Sequence, residues 1–283
     1  MTHQTLTEAL SLTDHGAGGL TARLSGDFSN APQSLPQEKG APFGGLMAAL
    51  AAGAMRQGLG VQTPLQSLTI QYLAAARFED ASFRPGLNRG GRNIAYASVV
   101  GGQGDRTAVQ ALGTYGRDGH GPVLTPLVAS PPPVDSLDDT PLDPRFGPWF
   151  TRYIEHRFVD GPRLFGQNAG RAPELGCWMR TTDRAPLDEA RLLFLLDGLY
   201  PTYWTALPAP PAVAASIDLR ADMLAELNPA TSPEGWAYFH FTSRDVGNGW
   251  AVEDGVAWAP DGQPLALVRQ RRRMMPSRTP AGS

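Results

Sequence analysis

The chain has 283 residues, 42% apolar and 18% charged, the composition of an ordinary folded protein with length for one large domain or two of common size. Its net charge of −3 leaves no electrostatic case for a nucleic-acid or anionic-membrane partner. A single cysteine, Cys177, excludes an intrachain disulfide and a cysteine-built zinc site, and His3, His15, His120, His156 and His240 are scattered without metal-ligand spacing.

Positive charge is almost all arginine, with Lys39 the only lysine, which together with the abundant Ala, Gly and Pro marks a GC-rich genome more than a function. Residues 1–14 are polar and lack the apolar core of a signal peptide, and no run approaches the ~20 apolar residues of a membrane span. The expectation is a cytoplasmic protein.

In chain order, a polar and Gly-rich start gives way to alternation over 20–24, a first strand, and then to a Ser-, Pro- and Gln-rich loop over 27–40. Residues 43–55 are apolar on every side and Ala-rich, and predict a helix that opens at Gly44 and Gly45, stops near Gly58 and runs inside the fold. Leu68, Ile70 and Tyr72 alternate with polar neighbours as a half-buried strand. Further strands are predicted over 78–84, 94–100 and 107–115, joined by turns at 88–91 and 101–105. The second of these Gly-rich turns is followed by a strand and not a helix, so it is not a dinucleotide loop.

Residues 121–147 carry Pro at a density no sheet accepts and read as a semi-rigid linker. The earlier order then repeats: strands over 153–159 and 175–180, an apolar helix over 187–200, and strands over 213–219, 236–241, 249–258 and 265–273, with Asn248–Gly249 and Asp261–Gly262 as hairpin signals. The tail over 276–283 reads as disordered. Two helices that are apolar all round, each inside a run of strands, fit an α+β tandem hotdog fold, two curved antiparallel sheets each wrapping a buried central helix. An N-terminal hotdog would span 1–120, the linker 121–147 and a C-terminal hotdog 148–283. The second helix holds a single central carboxylate, Asp197, while the first has none between Phe43 and Met55. A buried carboxylate is unfavourable unless hydrogen-bonded or protonated. It is either a satisfied core group or a general base in a dry pocket.

These segments resemble the acyl-CoA thioesterase II family, the double-hotdog thioesterases. The resemblance sits on Phe43, Gly44 and Gly45 opening the first helix, on 67–73 and on the Arg89–Arg92 turn. In the second half it sits on 195–199, on 214–218 and on Val268, Arg269 and Gln270. It covers both halves but not the linker or the ends. In that family the hydrolytic water is held by an Asp on the second helix, a hydroxyl on the next strand and a Gln on the last. The resemblance carries these roles to Asp197, Ser216 and Gln270. The family commonly has Thr at Ser216. It often has an Asp-His pair where Leu219 follows Asp218, and Glu where Arg271 follows Gln270. These departures bear on substrate choice more than on reaction type.

The implied activity is hydrolysis of an acyl-CoA thioester to free acid and coenzyme A, with no metal or redox cofactor and with assembly into a homodimer or larger homo-oligomer. Such hydrolysis requires a base, polar groups to aim the water and donors for the oxyanion. Asp197, Ser216 and Gln270 supply the first two kinds of group, and the amides at Gly44 and Gly45 offer a helix N-terminus for the third. Phe43, Gly44, Gly45, Leu46 and Ala49 are the expected acyl-pocket wall. Arg271, with Arg269, Arg272 and Arg273, either meets the phosphates of coenzyme A or forms a solvated or dimer-edge cluster. By period two, Asp218 shares a face with Ser216 and Arg220 and is expected to pair with Arg220; His240 falls on the face away from Phe239 and Phe241. The rivals are a hotdog protein that binds acyl-CoA without turnover, a hotdog dehydratase, whose helix His is missing here, and a structural or partner-binding protein. No Gly-x-Ser-x-Gly elbow is present.

Overall fold

The fold is described from a computed structural model over residues 3–16, 19–117, 124, 127, 129, 131–165, 172–209 and 213–275. The tail over 276–283, His120 and most of 121–130 lie outside the described residues.

The first half comprises α1 (Leu6–Ala9), β1 (Thr13–Asp14), β2 (Leu20–Arg23), α2 (Gly44–Leu59), β3 (Leu65–Tyr72), β4 (Asp80–Gly90), β5 (Ile94–Gln103) and β6 (Arg106–Gly116). The second comprises β7 (Ile154–Phe158), β8 (Glu174–Thr181), α3 (Glu189–Leu195), β9 (Val213–Met223), β10 (Ala237–Gly247), β11 (Trp250–Trp258) and β12 (Pro264–Met275). The turn residues that join β10 to β11, Asn248 and Gly249, have φ of 52° and 77°, as the Asn-Gly pair requires.

All strands pair antiparallel, in the order β1-β2-β4-β5-β6-β3-β9-β12-β11-β10-β8-β7. Read outward from the centre, β3-β6-β5-β4-β2 repeats as β9-β12-β11-β10-β8. The two sheets expected from the sequence are therefore joined edge to edge. β3 and β9 hydrogen-bond to each other, with Leu68 opposite Ala221 and Ile70 opposite Leu219, and make one sheet of twelve strands. β3 and β9, the inner edge of each half, are thus closed by the other half and not left open to solvent.

α2 and α3 pack against this sheet and run antiparallel to each other, with Gly45 against the Phe194 carbonyl at one end and Arg56 paired with Glu189 at 2.6 Å at the other. α2 is buried on most positions, and a Cβ on Gly45 would come 2.4 Å from the Phe194 carbonyl oxygen, so only glycine allows this approach. α2 ends at Gly60, whose φ of 61° is the left-handed cap. α3 is shorter than the apolar run implies. It stops at Leu195, because Gly198 N–H turns back to the Leu195 carbonyl at 2.8 Å and Pro201 blocks continuation. Asp197 thus stands in the turn just past α3.

The Pro-rich connection packs on the second half. Trp178 and Trp258 donate their indole N–H to the carbonyls of Pro132 and Leu127, on the sheet face away from the helices. No helix among the described residues is long and apolar enough to cross a membrane.

Gly45→Ala should lower the thermal midpoint, because the added methyl must push α2 from α3. Overpacking of this kind destabilises by about 1–3 kcal/mol, read by calorimetry or chemical denaturation.

Candidate active site

α2 has no side-chain cap of its own: Phe43 occupies the N-cap position and makes no capping bond. The missing anion comes from the other half. The Asp197 carboxylate lies at this N-terminus, where the Gly45 amide favours its charged form. A Cβ on Gly44 would sit 2.5 Å from Asp197 Oδ2 and 3.2 Å from the Tyr72 ring, so a glycine is needed for the carboxylate to reach the helix end. Tyr72 lines the same spot and donates its hydroxyl to the Gly44 carbonyl at 3.0 Å.

The structure brings Asp197, Ser216 and Gln270 together. Gln270 Nε2 donates to Asp197 Oδ1 at 2.5 Å and to Ser216 Oγ at 3.0 Å. Ser216 reaches this cluster through a break in the strand pattern. Arg271 and Arg272 on β12 face Asp218 and Ser216 on β9, which leaves Ile217 as the extra residue of a β-bulge. Directly opposed residues share a face, so Ser216 lies with Arg272 and Gln270 towards the helices, while Asp218 lies with Arg271 on the outer face. Ser216 therefore leaves the face expected to hold it with Asp218 and Arg220. Arg220 pairs not with Asp218 but with Asp222, the next residue along the same face, at 2.6 Å.

Arginines of the last strand separate by the same alternation. Arg269 pairs with Asp254 at 2.7 Å, and Arg273 donates to the Gly249 carbonyl at 2.8 Å and lies over Trp250. Arg271 is exposed on the outer face, away from the cluster. Arg272 points inward and is 7% exposed. It donates from Nη1 to Ser216 Oγ at 3.0 Å, from Nη2 to Gln270 Oε1 at 2.5 Å and to Asp197 Oδ1 at 3.5 Å, and from Nε to Glu253 Oε2 at 2.7 Å. Glu253, 2% exposed, accepts the backbone N–H and, at 2.6 Å, the hydroxyl of Thr202.

Sequence reasoning missed Arg272 as a member of this cluster, and missed Glu253, Thr202 and Tyr72 altogether. A signal existed for two of them: Arg272 is two residues from Gln270, and Glu253 interrupts the small inward residues Ala251, Gly255 and Ala257.

A cavity of about 480 Å³ opens on this cluster. The first half contributes Phe43, Gly44, Met47 and Tyr72, the connecting segment Leu142 and Phe146, and the second half Phe150, Leu199, Tyr200 and Trp204. Asp197, Ser216 and Arg272 also face it, and Gln270, 2% exposed, lies behind them. Of the expected wall, Phe43 and Gly44 are present. Gly45, Leu46 and Ala49 are not: the helical repeat carries them to the faces packed in the core, and Met47, one turn from Phe43, takes the wall position. Phe43 stacks on Phe150 at 3.6 Å. His240 lies on the outer face, 3.7 Å from Glu174.

Burial pushes Asp197 above the usual carboxylate range, and Glu253 adds to the rise; the Arg272 charge, then the Gln270 and Gly45 hydrogen bonds, oppose it. For Arg272, burial pulls downward but Glu253 and Asp197 outweigh it, leaving the guanidinium above its ordinary value. Burial first, then Asp197, holds the Tyr72 hydroxyl well above the usual phenol range. The cluster is thus a carboxylate disposed to take a proton, beside a fixed cation and a hydroxyl. Among the described residues no group of three or more His, Cys, Asp and Glu is placed to hold a metal.

Comparison with protein families matches residues 31–116 to the acyl-CoA thioesterase N-terminal domain and residues 129–272 to the acyl-CoA thioesterase C-terminal domain. A conserved hotdog-fold protein of unknown function from Alicyclobacillus acidocaldarius is similar at 20% identity and a TM-score of 0.82, over 97% of this chain and 99% of that one. An acyl-CoA thioesterase II from Mycobacterium marinum is similar at 18% identity and a TM-score of 0.74, over 95% and 98%. The dehydratase domain of PpsC from Mycobacterium tuberculosis, solved with C12:1-CoA, is similar at 13% identity and a TM-score of 0.55, over 96% and 100%. At these identities the likeness is one of fold. Comparison with curated proteins gives no match.

A carboxyl whose pKa is raised on folding destabilises the protein as pH rises from its unfolded value through its folded one. Asp197→Asn removes that titration. Across that window, from the ordinary carboxylate range upward, the difference in unfolding free energy should move in favour of the variant. Denaturant unfolding of both proteins from mildly acidic to neutral pH checks the sign.

Proposed function

The chain belongs to the acyl-CoA thioesterase family, with two hotdog-type domains, each a helix packed on antiparallel strands, and from that premise we propose that it hydrolyses acyl-CoA thioesters with Asp197 as the general base. The observation that carries the reading is the convergence of Asp197 and Ser216 on Gln270, whose Nε2 lies 2.5 Å from the first and 3.0 Å from the second, at the wall of a largely apolar cavity.

The residues divide the work as follows. Asp197 accepts a proton from a water as its oxygen attacks the thioester carbonyl carbon. The C–O double bond opens to an oxyanion. Its collapse breaks the C–S bond, and the proton held by Asp197 goes to the departing thiolate, giving a carboxylic acid and free coenzyme A. A base whose pKa burial has raised is a better proton acceptor than an ordinary carboxylate and can still return the proton to the thiolate. Gln270 holds Asp197 and Ser216 in register, and the apolar wall takes the acyl chain. The division into hotdog domains over 1–120 and 148–283 with a connection over 121–147, the wrapping of each helix by a curved sheet, and self-association through the outer sheet surface belong to the same proposal.

Thiol release from a panel of acyl-CoA esters of varied length and branching tests the reading. Asp197→Asn should keep the fold and lower turnover about 10²–10⁴-fold, the usual scale for removal of a general base. Ser216→Ala and Gln270→Ala should lower kcat while acyl-CoA still protects against thermal unfolding. An undiminished Asp197→Asn variant would remove Asp197 from the role. Ligand protection with no thiol release by the parent would instead favour an acyl-CoA binding protein.

The wall makes a separate prediction. Met47→Trp should move preference towards shorter acyl groups and leave turnover of the shortest accepted ester nearly unchanged, since Met47 faces the cavity but makes no polar contact with Asp197. The ratio of kcat/KM across the panel checks it.

A further inference from the structure

Each polar residue that the second-half strands bring to the cluster has a counterpart in the first half, given by the strand registers. On β12 and β9, Arg272 faces Ser216 and Gln270 faces Leu219; on β6 and β3, Tyr115 faces Leu65 and Gly113 faces Leu68. Glu253 faces Gln270 as Ala97 faces Gly113. The fold therefore builds these inward positions equally well from Leu, Gly, Ala and Tyr, and a guanidinium with its own carboxylate is not a requirement of the architecture. A buried ion pair is also a poor source of stability, since desolvation offsets most of its attraction.

The donor and acceptor inventory shows what Arg272 does. Gln270 is used at both ends: Oε1 accepts from Arg272, and Nε2 donates to Asp197 and Ser216. Ser216 Oγ accepts from Gln270 Nε2 and from Arg272 Nη1, each at 3.0 Å. A hydroxyl oxygen has two lone pairs, so Ser216 is left with only its O–H to offer, and its side chain lines the cavity. Arg272 has its Nε on Glu253 and its Nη2 on Gln270 and Asp197, so the second N–H of Nη1 has no acceptor among the described residues. Arg272 lines the cavity too, whereas Gln270 does not.

We propose that Arg272 is a catalytic residue of this site, its Nη1 N–H and the Ser216 O–H forming the donor pair that receives the thioester oxygen as negative charge develops on it. Glu253, held by Thr202, is a positioning residue that fixes the plane of the guanidinium; Gln270 is a positioning residue for Asp197 and Ser216. The inference deepens the hydrolase reading and rests on it. One donor is charged and the other is a neutral hydroxyl, and fixed partners prealign both at the cavity wall, the condition under which such groups act most strongly on a developing oxyanion. Arg272 also opposes protonation of Asp197. The groups facing Asp197 are Arg272 from β12, Glu253 from β11, Tyr72 from β3 and the Gly45 amide of α2.

The test uses the full chain and an acyl-CoA ester that the parent hydrolyses. Arg272→Ala should lower kcat about 10²–10³-fold, the scale of a lost oxyanion donor, with KM changed only a few-fold, and guanidinium at low millimolar concentration should restore part of kcat. Arg272→Lys, which keeps the charge without the fork, should fall between. The acidic limb of the kcat/KM profile should move to higher pH in Arg272→Gln, which removes the cation, and to lower pH in Glu253→Gln, which removes the neighbouring carboxylate. Thermal unfolding of each variant accompanies the kinetics. If Arg272→Ala does not fold, the opposite movement of the two pH limbs decides, since the Gln variants keep side-chain bulk. A kcat within twofold of the parent in Arg272→Ala or Arg272→Gln, a loss confined to KM, or pH limbs that do not move apart would overturn the proposal. If those variants stay active while Asp197→Asn is dead, the hydrolase reading stands and the role of Arg272 falls; if the parent releases no thiol from any ester, both fall.

Discussion

The interaction on which the site depends is a carboxylate of one half set at the uncapped helix end of the other. α2 begins at Phe43 with no local acceptor for its first amides, and Asp197 occupies that place from beyond the end of α3. The position is unfavourable with respect to α3, whose C-terminal carbonyls precede Asp197, and favourable with respect to α2, whose amide dipoles point at it. Two glycines make it possible. Gly44 leaves room for the carboxylate, and Gly45 lets α2 approach the Phe194 carbonyl. Burial raises the carboxyl pKa, and the Arg272 charge and the Gln270 hydrogen bond oppose that rise.

Duplication explains how such a site can arise without weakening the fold. Both halves use the same strand order and the same helix placement. At the inward positions the first half carries Leu65, Ala97, Gly113 and Tyr115, with the Tyr115 hydroxyl bonded to the Ala52 carbonyl at 3.2 Å. The second half carries Ser216, Glu253, Gln270 and Arg272 there. One half can hold a polar network because the other supplies apolar packing, the helix end and a share of the cavity wall. The continuous β3–β9 pairing locks the two together, so the distance between Asp197 and α2 does not depend on the Pro-rich connection.

Much of this was legible in the residues. Two runs apolar on every side had to be buried helices, and the Asn-Gly and Asp-Gly turns had to separate strands, because water and backbone sterics leave few other solutions. The lone Asp in the second run, and a Ser and a Gln on the strands predicted after it, followed from the resemblance. What could not be read was phase. Period two assigns Ser216 to the face of Asp218 and Arg220, and only the bulge at Ile217 brings it inward to Gln270. An extra residue in a strand leaves no compositional trace, since it is decided by the register with β12.

Helix boundaries and cavity walls were hidden for a related reason. A helix apolar on all sides has no amphipathic face to show which positions meet a cavity and which meet the core, so Met47 could not be told from Leu46 or Ala49. Arg271 and Arg272 are neighbours of identical type, yet one is exposed and the other is 7% exposed beside Asp197. The amino-acid sequence by itself determined the elements, their duplication and the residue types available for chemistry, because these depend on local sterics and on hydrophobic periodicity. Only the tertiary structure decided which of those residues meet, because pairing across strands and contact between the two helices set every distance in the cluster.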